Sequence, residues 1–202
     1  MPKIQNDPKV YIYRLTSDTG LAPCVDNGLF SLAVCKGGQL RNGKPVNTGL
    51  RWRIGSENEY STRPVFILGT YKDRLLYLAK VTKVVTMKDY FSGMSVGRTD
   101  DIYSYKDGVL ERNQHLRKQE IHTETGRIIR DLAGEYVVLS DDYIYLGRDA
   151  ADTDDIKDFF PKFQETKNYT GDIAVEIIAA CEKHRDNKRH LPHEPLSPKC
   201  GG

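Results

Sequence analysis

The run from Tyr11 to Lys36 constrains this chain most, because two strand-like stretches there enclose a loop dense in short polar and backbone-special residues. Val10, Ile12 and Arg14 alternate with Tyr11, Tyr13 and Leu15, the period of two that a strand imposes on its faces. A second strand is expected from Leu29 to Val34. The loop between them is too long for a tight hairpin. Thr16, Ser17, Asp18 and Thr19 supply hydroxyls and a carboxylate, Gly20 and Gly28 permit positive φ, and Pro23 stiffens the path. Such a loop either brings backbone donors and short side chains together on a ligand held between two strands, or is an elaborate turn.

A length of 202 residues is enough to bury a sizeable core, and residues 1–182 are expected to form a single domain, with 183–202 as a polar tail. The hydrophobic share of 39% and charged share of 29% are those of ordinary globular chains. No apolar stretch approaches the roughly 20 residues of a membrane span, and the opening Met1 to Asp7 has no apolar signal region. A cytoplasmic location with no membrane partner is therefore expected. Cys24, Cys35, Cys181 and Cys200 form no C-x-x-C pair and read as free thiols. Cys35 in an apolar strand and Cys181 in an apolar helix suit small buried side chains better than nucleophiles.

The net charge of +2 excludes a polycation that coats nucleic acid indiscriminately, so any basic footprint is local. Its candidates are Lys36 to Lys44, which includes Arg41, the pair Arg51 and Arg53, and the span Arg112 to Arg130; a solvated surface is the plain alternative.

Further along, a turn-rich loop leads to a third strand expected around Leu50 to Ile54. Val65 to Thr70 and Leu75 to Val85 read as strands joined by a hairpin at Tyr71 to Arg74, and Thr86 is a cap candidate for a helical turn over Met87 to Phe91. Residues 92–135 carry apolar side chains singly and read as a long excursion. Strands return at Glu135 to Leu139 and Tyr143 to Leu146, and these are expected to close the sheet. A short bent helix is expected over Asp154 to Phe163, interrupted by Pro161. Asp172 opens the clearest helix, with Ile173, Val175, Ile177, Ile178 and Cys181 along a broad apolar face.

Several of these pieces resemble a known family. Thr16-Ser-Asp-Thr-Gly-Leu-Ala-Pro23 and Leu32-Ala-Val-Cys-Lys36 are followed in order by Gly49-Leu-Arg-Trp-Arg-Ile-Gly55, Leu75 to Thr82 leading to Asp89-Tyr90, Asn113-Gln-His115, and Val137 to Gly147. The order is similar to that of the nucleotide modification associated domain 2 family. The resemblance implies a bacterial or phage protein linked to modified bases in nucleic acid. The expected elements themselves make the chain α+β, predominantly β, which is compatible by fold-level analogy with a small PUA-like curled sheet or barrel with flanking helices.

Gripping a nucleobase requires a face to stack on and donors and acceptors at the base edge. Trp52, in the expected third strand, faces away from Arg51 and Arg53, so either Trp52 is core with surface arginines, or it stacks and the arginines serve elsewhere. Asp18, Thr19, Lys36, Arg41, Trp52, Asn113 and His115 are the candidate ligand-binding residues. Asp18 and His115 are the candidates for general acid or base, with Asp131, Asp141 and Asp142 as further carboxylates. The histidines show no H-E-x-x-H or H-x-E-x-x-C arrangement, so no metal and no cofactor is expected. Phosphate-binding and nucleophile-elbow motifs are likewise missing from the sequence.

Three functions follow. The first is recognition of a modified base or nucleotide in a modification or defence system, with nucleic acid or nucleotide as partner. The second is an enzyme acting on a nucleobase or nucleotide in the same pathway. The third is a non-catalytic partner protein that uses its tail from Lys183 onward.

Overall fold

The computed structural model of this chain describes residues 7–42, 44–46, 49–113 and 125–185. Its strands are β1 (Lys9–Arg14), β2 (Cys24–Asp26), β3 (Leu29–Leu32), β4 (Gln39–Arg41), β5 (Lys44–Val46), β6 (Val65–Tyr71) and β7 (Arg74–Lys80). They continue with β8 (Lys83–Thr86), β9 (Tyr103–Lys106), β10 (Val109–Arg112), β11 (Tyr136–Ser140), β12 (Asp142–Tyr145) and β13 (Thr166–Thr170). The helices are α1 (Leu50–Glu57), α2 (Met87–Asp89), α3 (Thr125–Leu132) and α4 (Gly171–Glu182). The chain is predominantly β with flanking helices. Among the described residues the sheets are open, and none closes into a barrel.

Two compact units share these elements. The first takes residues 7–19, Asn58–Thr82 and 140–185 and is built on a five-stranded sheet ordered β12-β7-β6-β1-β13. Within it β1 runs parallel to β6 and antiparallel to β13. Both faces of β1 are covered, which is why Val10, Tyr11, Ile12 and Tyr13 are all buried. The expected hairpin joins β6 to β7: Tyr71 pairs with Arg74, and Lys72 and Asp73 take φ of 49° and 61°, the mirror-image turn that matches strand twist. Helix α4 covers one face of the sheet, where Ala174, Ile177 and Cys181 meet Val10, Ile12, Leu78 and Ile144. Each fully buried Ile or Leu there contributes about 1.5–3 kcal/mol. The N-cap of α4 is Thr170; Asp172 sits instead in the first turn, where its charge complements the helix dipole.

The second unit, Gly20–Glu57 with Lys83–Leu139, is built on a four-stranded sheet ordered β2-β3-β11-β8, with two-stranded ribbons β4-β5 and β9-β10. Asn27 and Gly28, at φ of 54° and 73°, turn β2 into β3, so the later half of the loop after Asp18 is itself a strand. Thr86 caps α2 as its sequence suggests, its Oγ1 accepting from the Asp89 N–H at 3.1 Å.

Four sequence expectations are corrected. The stretch Leu50 to Ile54 is helix α1, not a strand: the buried positions are Leu50, Arg51 and Ile54, the three-and-four spacing of a helix face. The second strand stops at Leu32, and Cys35 follows in a left-handed bend with φ of 55°. The strands around Val137 and Ile144 enter different sheets and therefore close neither. The helix expected over Asp154 to Phe163 shrinks to a 3-10 turn at Lys157–Phe159, because Pro161 supplies no backbone donor to extend it.

Candidate functional site

In the first unit the register lines up Tyr13, Gly69, Tyr77 and Tyr145 across four neighbouring strands. Gly69 is required there, since a Cβ would fall 2.2 Å from the Tyr77 ring. The vacancy lets the Tyr13 and Tyr77 rings meet edge-on at 6.0 Å, and the Tyr77 hydroxyl donates to that of Tyr13. At the end of the row Tyr145 donates to Asp18 Oδ2 at 2.6 Å. Asp18 is fully buried and Thr19 nearly so. Burial, together with Tyr13, Asp18 and Tyr145, pushes the Tyr77 hydroxyl well above its ordinary value. The row is thus a line of tyrosines ending on one buried aspartate.

The polar centre of the second unit is Arg51, on the inward face of α1. Its Nε donates to Cys35 O at 2.7 Å, Nη1 to Tyr136 O at 2.6 Å and Nη2 to Asp131 O at 2.5 Å. Burial lowers its pKa against the support of Asp131. Gly134 makes room for it, because a Cβ there would lie 2.4 Å from the guanidinium. Asp131, near the end of α3, spends both oxygens: Oδ1 accepts from Cys35 N at 2.6 Å and Oδ2 from the Tyr103 hydroxyl at 3.0 Å.

Across the β9-β10 ribbon Tyr103 stands opposite Arg112. Burial and Asp131 raise the Tyr103 pKa, while Arg112 and Arg51 pull it down. Arg112 is half-buried, yet its Nε and Nη2 are sealed from solvent and meet no acceptor. Among the described residues no carboxylate forms an ion pair with it. Arg51, Asp131 and Arg112 therefore bring two positive charges and one negative charge into this part of the unit.

A third arginine, Arg98, belongs to a closed network in the same unit. It donates to Asp26 O at 2.7 Å, Leu29 O at 3.1 Å, Ser31 Oγ at 2.9 Å and the Tyr90 hydroxyl at 2.8 Å. Asp100, fully buried beside it, accepts from Ser31 at 2.5 Å and from Tyr90 at 2.9 Å. Burial pushes the Asp100 carboxyl up against those donors. Burial likewise raises the Cys24 thiol, which stays protonated and donates to Asp26 Oδ2 at 3.2 Å. The buried Cys181 is raised in the same way, whereas Cys35 is only half-buried, in its bend rather than in a strand.

The residues singled out in the sequence fall as follows. Asp18 and Thr19 lie in the first unit; Lys36, Arg41, Trp52 and Asn113 lie in the second. Since β1 and β3 belong to different sheets, the loop between them is not a site held within one sheet. Lys36 is half-buried with φ of 49°, and its carbonyl accepts from Arg51 N at 3.2 Å. Arg41 is exposed and Trp52 half-buried, so the strand alternation of Arg51, Trp52 and Arg53 is replaced by a helix that buries Arg51. Asn113 N donates to Ile102 O at 2.8 Å, tying down the end of the ribbon. His115 and the expected tail beyond residue 185 lie outside the described residues. Asp142 pairs with Arg185 at 2.8 Å, and Asp141 is exposed. Among the described residues no three His, Cys, Asp or Glu side chains gather as a metal ion would need, and no helix is long and apolar enough to cross a membrane.

Tyr145, Tyr103 and Arg112 were not singled out. Arg112 stood only at the edge of a basic span, and the facts that matter, its sealed edge and its neighbour Tyr103, arise from the pairing of β9 with β10.

The fold and these clusters define an α+β chain, predominantly β, whose chemistry is concentrated in buried arginine, aspartate and tyrosine groups. The chain belongs to the nucleotide modification associated domain 2 family, whose model matches residues 7–194. That membership associates it with nucleotide modification. No curated protein and no solved structure matched the chain.

Proposed function

We propose that this chain recognises a nucleotide, with a modified base as the feature it selects, in a nucleic-acid modification system. The observation that carries the reading is Arg112: two N–H donors sealed from solvent without an acceptor among the described residues are an unmet demand. Sealed N–H donors without a partner are costly, and a ligand that brings acceptors removes that cost. Membership of a nucleotide modification family supplies the ligand class. In this reading Asn113, which follows Arg112 directly, is a candidate for the same ligand, and Lys36, Arg41 and Trp52 are further candidates for its phosphate and base.

A thermal-shift screen tests this reading with nucleosides, nucleotides and short oligonucleotides carrying modified or unmodified bases. A ligand at 100 times its dissociation constant stabilises by about 2.7 kcal/mol. The expected result is stabilisation by nucleotides of one modified base, recovered chemically unchanged, and weaker stabilisation by the unmodified counterpart. No shift with any of these compounds overturns the proposal.

A further inference from the structure

We infer that the Nε–Nη2 edge of Arg112 is a receptor for the phosphate of a mononucleotide, taking two phosphate oxygens side-on. This rests on the nucleotide-recognition reading and names the part of the ligand that the second unit holds.

The two unpartnered atoms are not an arbitrary pair. In a guanidinium the Nε–H and one Nη2–H point the same way along one side of the planar group, the side that forms parallel bonds to two oxygens of one carboxylate or phosphate. In Arg112 it is this pair that is sealed and empty. By contrast, Arg51 in the same unit uses Nε, Nη1 and Nη2 on three backbone carbonyls. Local acceptors are therefore within reach of one arginine and not of the other.

Charge separates a phosphate from the edge of a base. A purine edge offers two acceptors with suitable spacing, but it is neutral. A phosphate supplies the acceptors and the missing negative charge together, and its charge-assisted bonds are roughly twice as strong as neutral ones.

Burial separates a mononucleotide from a strand. The phosphates of a duplex or single strand are flanked on both sides by sugars and are normally met by extended basic surface, which a net charge of +2 does not supply over the whole chain. A terminal phosphate is small enough to enter between elements. Arg112 ends β10 in a ribbon of two strands, an element of marginal stability by itself.

The test is calorimetric titration of the full chain and of Arg112→Met and Arg112→Lys with deoxynucleoside 5′-monophosphates, the matching nucleosides, inorganic phosphate and a single-stranded oligonucleotide. Wild type is expected to bind the monophosphates about 10- to 100-fold more tightly than the nucleosides, the range that a lost hydrogen bond to a charged group covers. Arg112→Met should lose that preference while melting no lower than wild type without ligand, since it removes an unpaired cation. Arg112→Lys keeps the charge but not the fork and should lie between the two. Nucleosides binding as tightly as monophosphates would overturn the phosphate receptor while leaving nucleotide recognition standing. Binding of the oligonucleotide alone, or unchanged monophosphate binding by Arg112→Met, would also overturn it. Failure of every compound would bring down both readings.

Discussion

Arg51 and Arg112 carry the same group into the same unit and meet different surroundings. Arg51 gives Nε, Nη1 and Nη2 to carbonyls of Cys35, Tyr136 and Asp131, which come from three separate segments, whereas Arg112 keeps Nε and Nη2 unmatched. The difference separates two uses of a buried cation. With each of its nitrogens bonded, a guanidinium ties segments together; with its side-on edge empty, it remains ready for a partner from outside. The fold supports the tie with a glycine at 134 and a carboxylate at 131, and gives the other arginine only a tyrosine across a ribbon.

The largest effect expected is from Arg51→Ala. It strands three carbonyls and removes the cation beside Asp131, at a cost of about 3–5 kcal/mol. Urea unfolding measures it, and a loss below about 1 kcal/mol would break the distinction from the structural side. Next is Gly134→Ala, whose Cβ would sit 2.4 Å from the guanidinium; overpacking of this kind costs about 1–3 kcal/mol. If Arg51 is the tie, Gly134→Ala should cost much less in an Arg51→Ala background, and equal costs in both would contradict the contact.

Arg98, the third arginine, sharpens the comparison through pH. Burial works against the Asp26 carboxylate, but the Thr99 N–H, the Cys24 thiol and Arg98 hold its pKa below the ordinary 3.8. A carboxyl lowered in the folded state contributes stability above its unfolded value and loses it as pH falls through the folded one. Asp26→Asn should therefore lower stability at neutral pH and flatten the decline below about pH 4 in acid titrations. An acid limb as steep as that of wild type would show that Asp26 is not held by this network. The smallest effect belongs to Arg112→Met without ligand: no loss, or a slight gain, in thermal midpoint.

Much of the first unit was legible because its signals are local. Alternation marked β1, the turn residues at 72 and 73 marked the β6-β7 hairpin, and the apolar run from Ile173 to Cys181 marked α4, although its Ile173 and Val175 are exposed and Ala174 and Ala180 pack in their place. Helix α1 was misread because Leu50, Trp52 and Ile54 alternate like a strand; what makes it a helix face is Arg51, whose acceptors include carbonyls 80 and 85 residues away. Asp18 stood out by residue type, but its partner Tyr145 is 127 positions distant. Arg112 showed in the sequence only as the edge of a basic span, since an unmet donor is a property of packing and not of a sequence pattern.

The most direct measurement is a side-chain nitrogen NMR titration of the isotopically labelled protein with a deoxynucleoside 5′-monophosphate, with the Arg112 Nε–H resonance assigned from the spectrum of Arg112→Lys. The Arg112 signal is expected to shift strongly as ligand is added while those of Arg51 and Arg98 hold still. Ligand binding that leaves the Arg112 resonance in place, or that moves Arg51 as far, would contradict it.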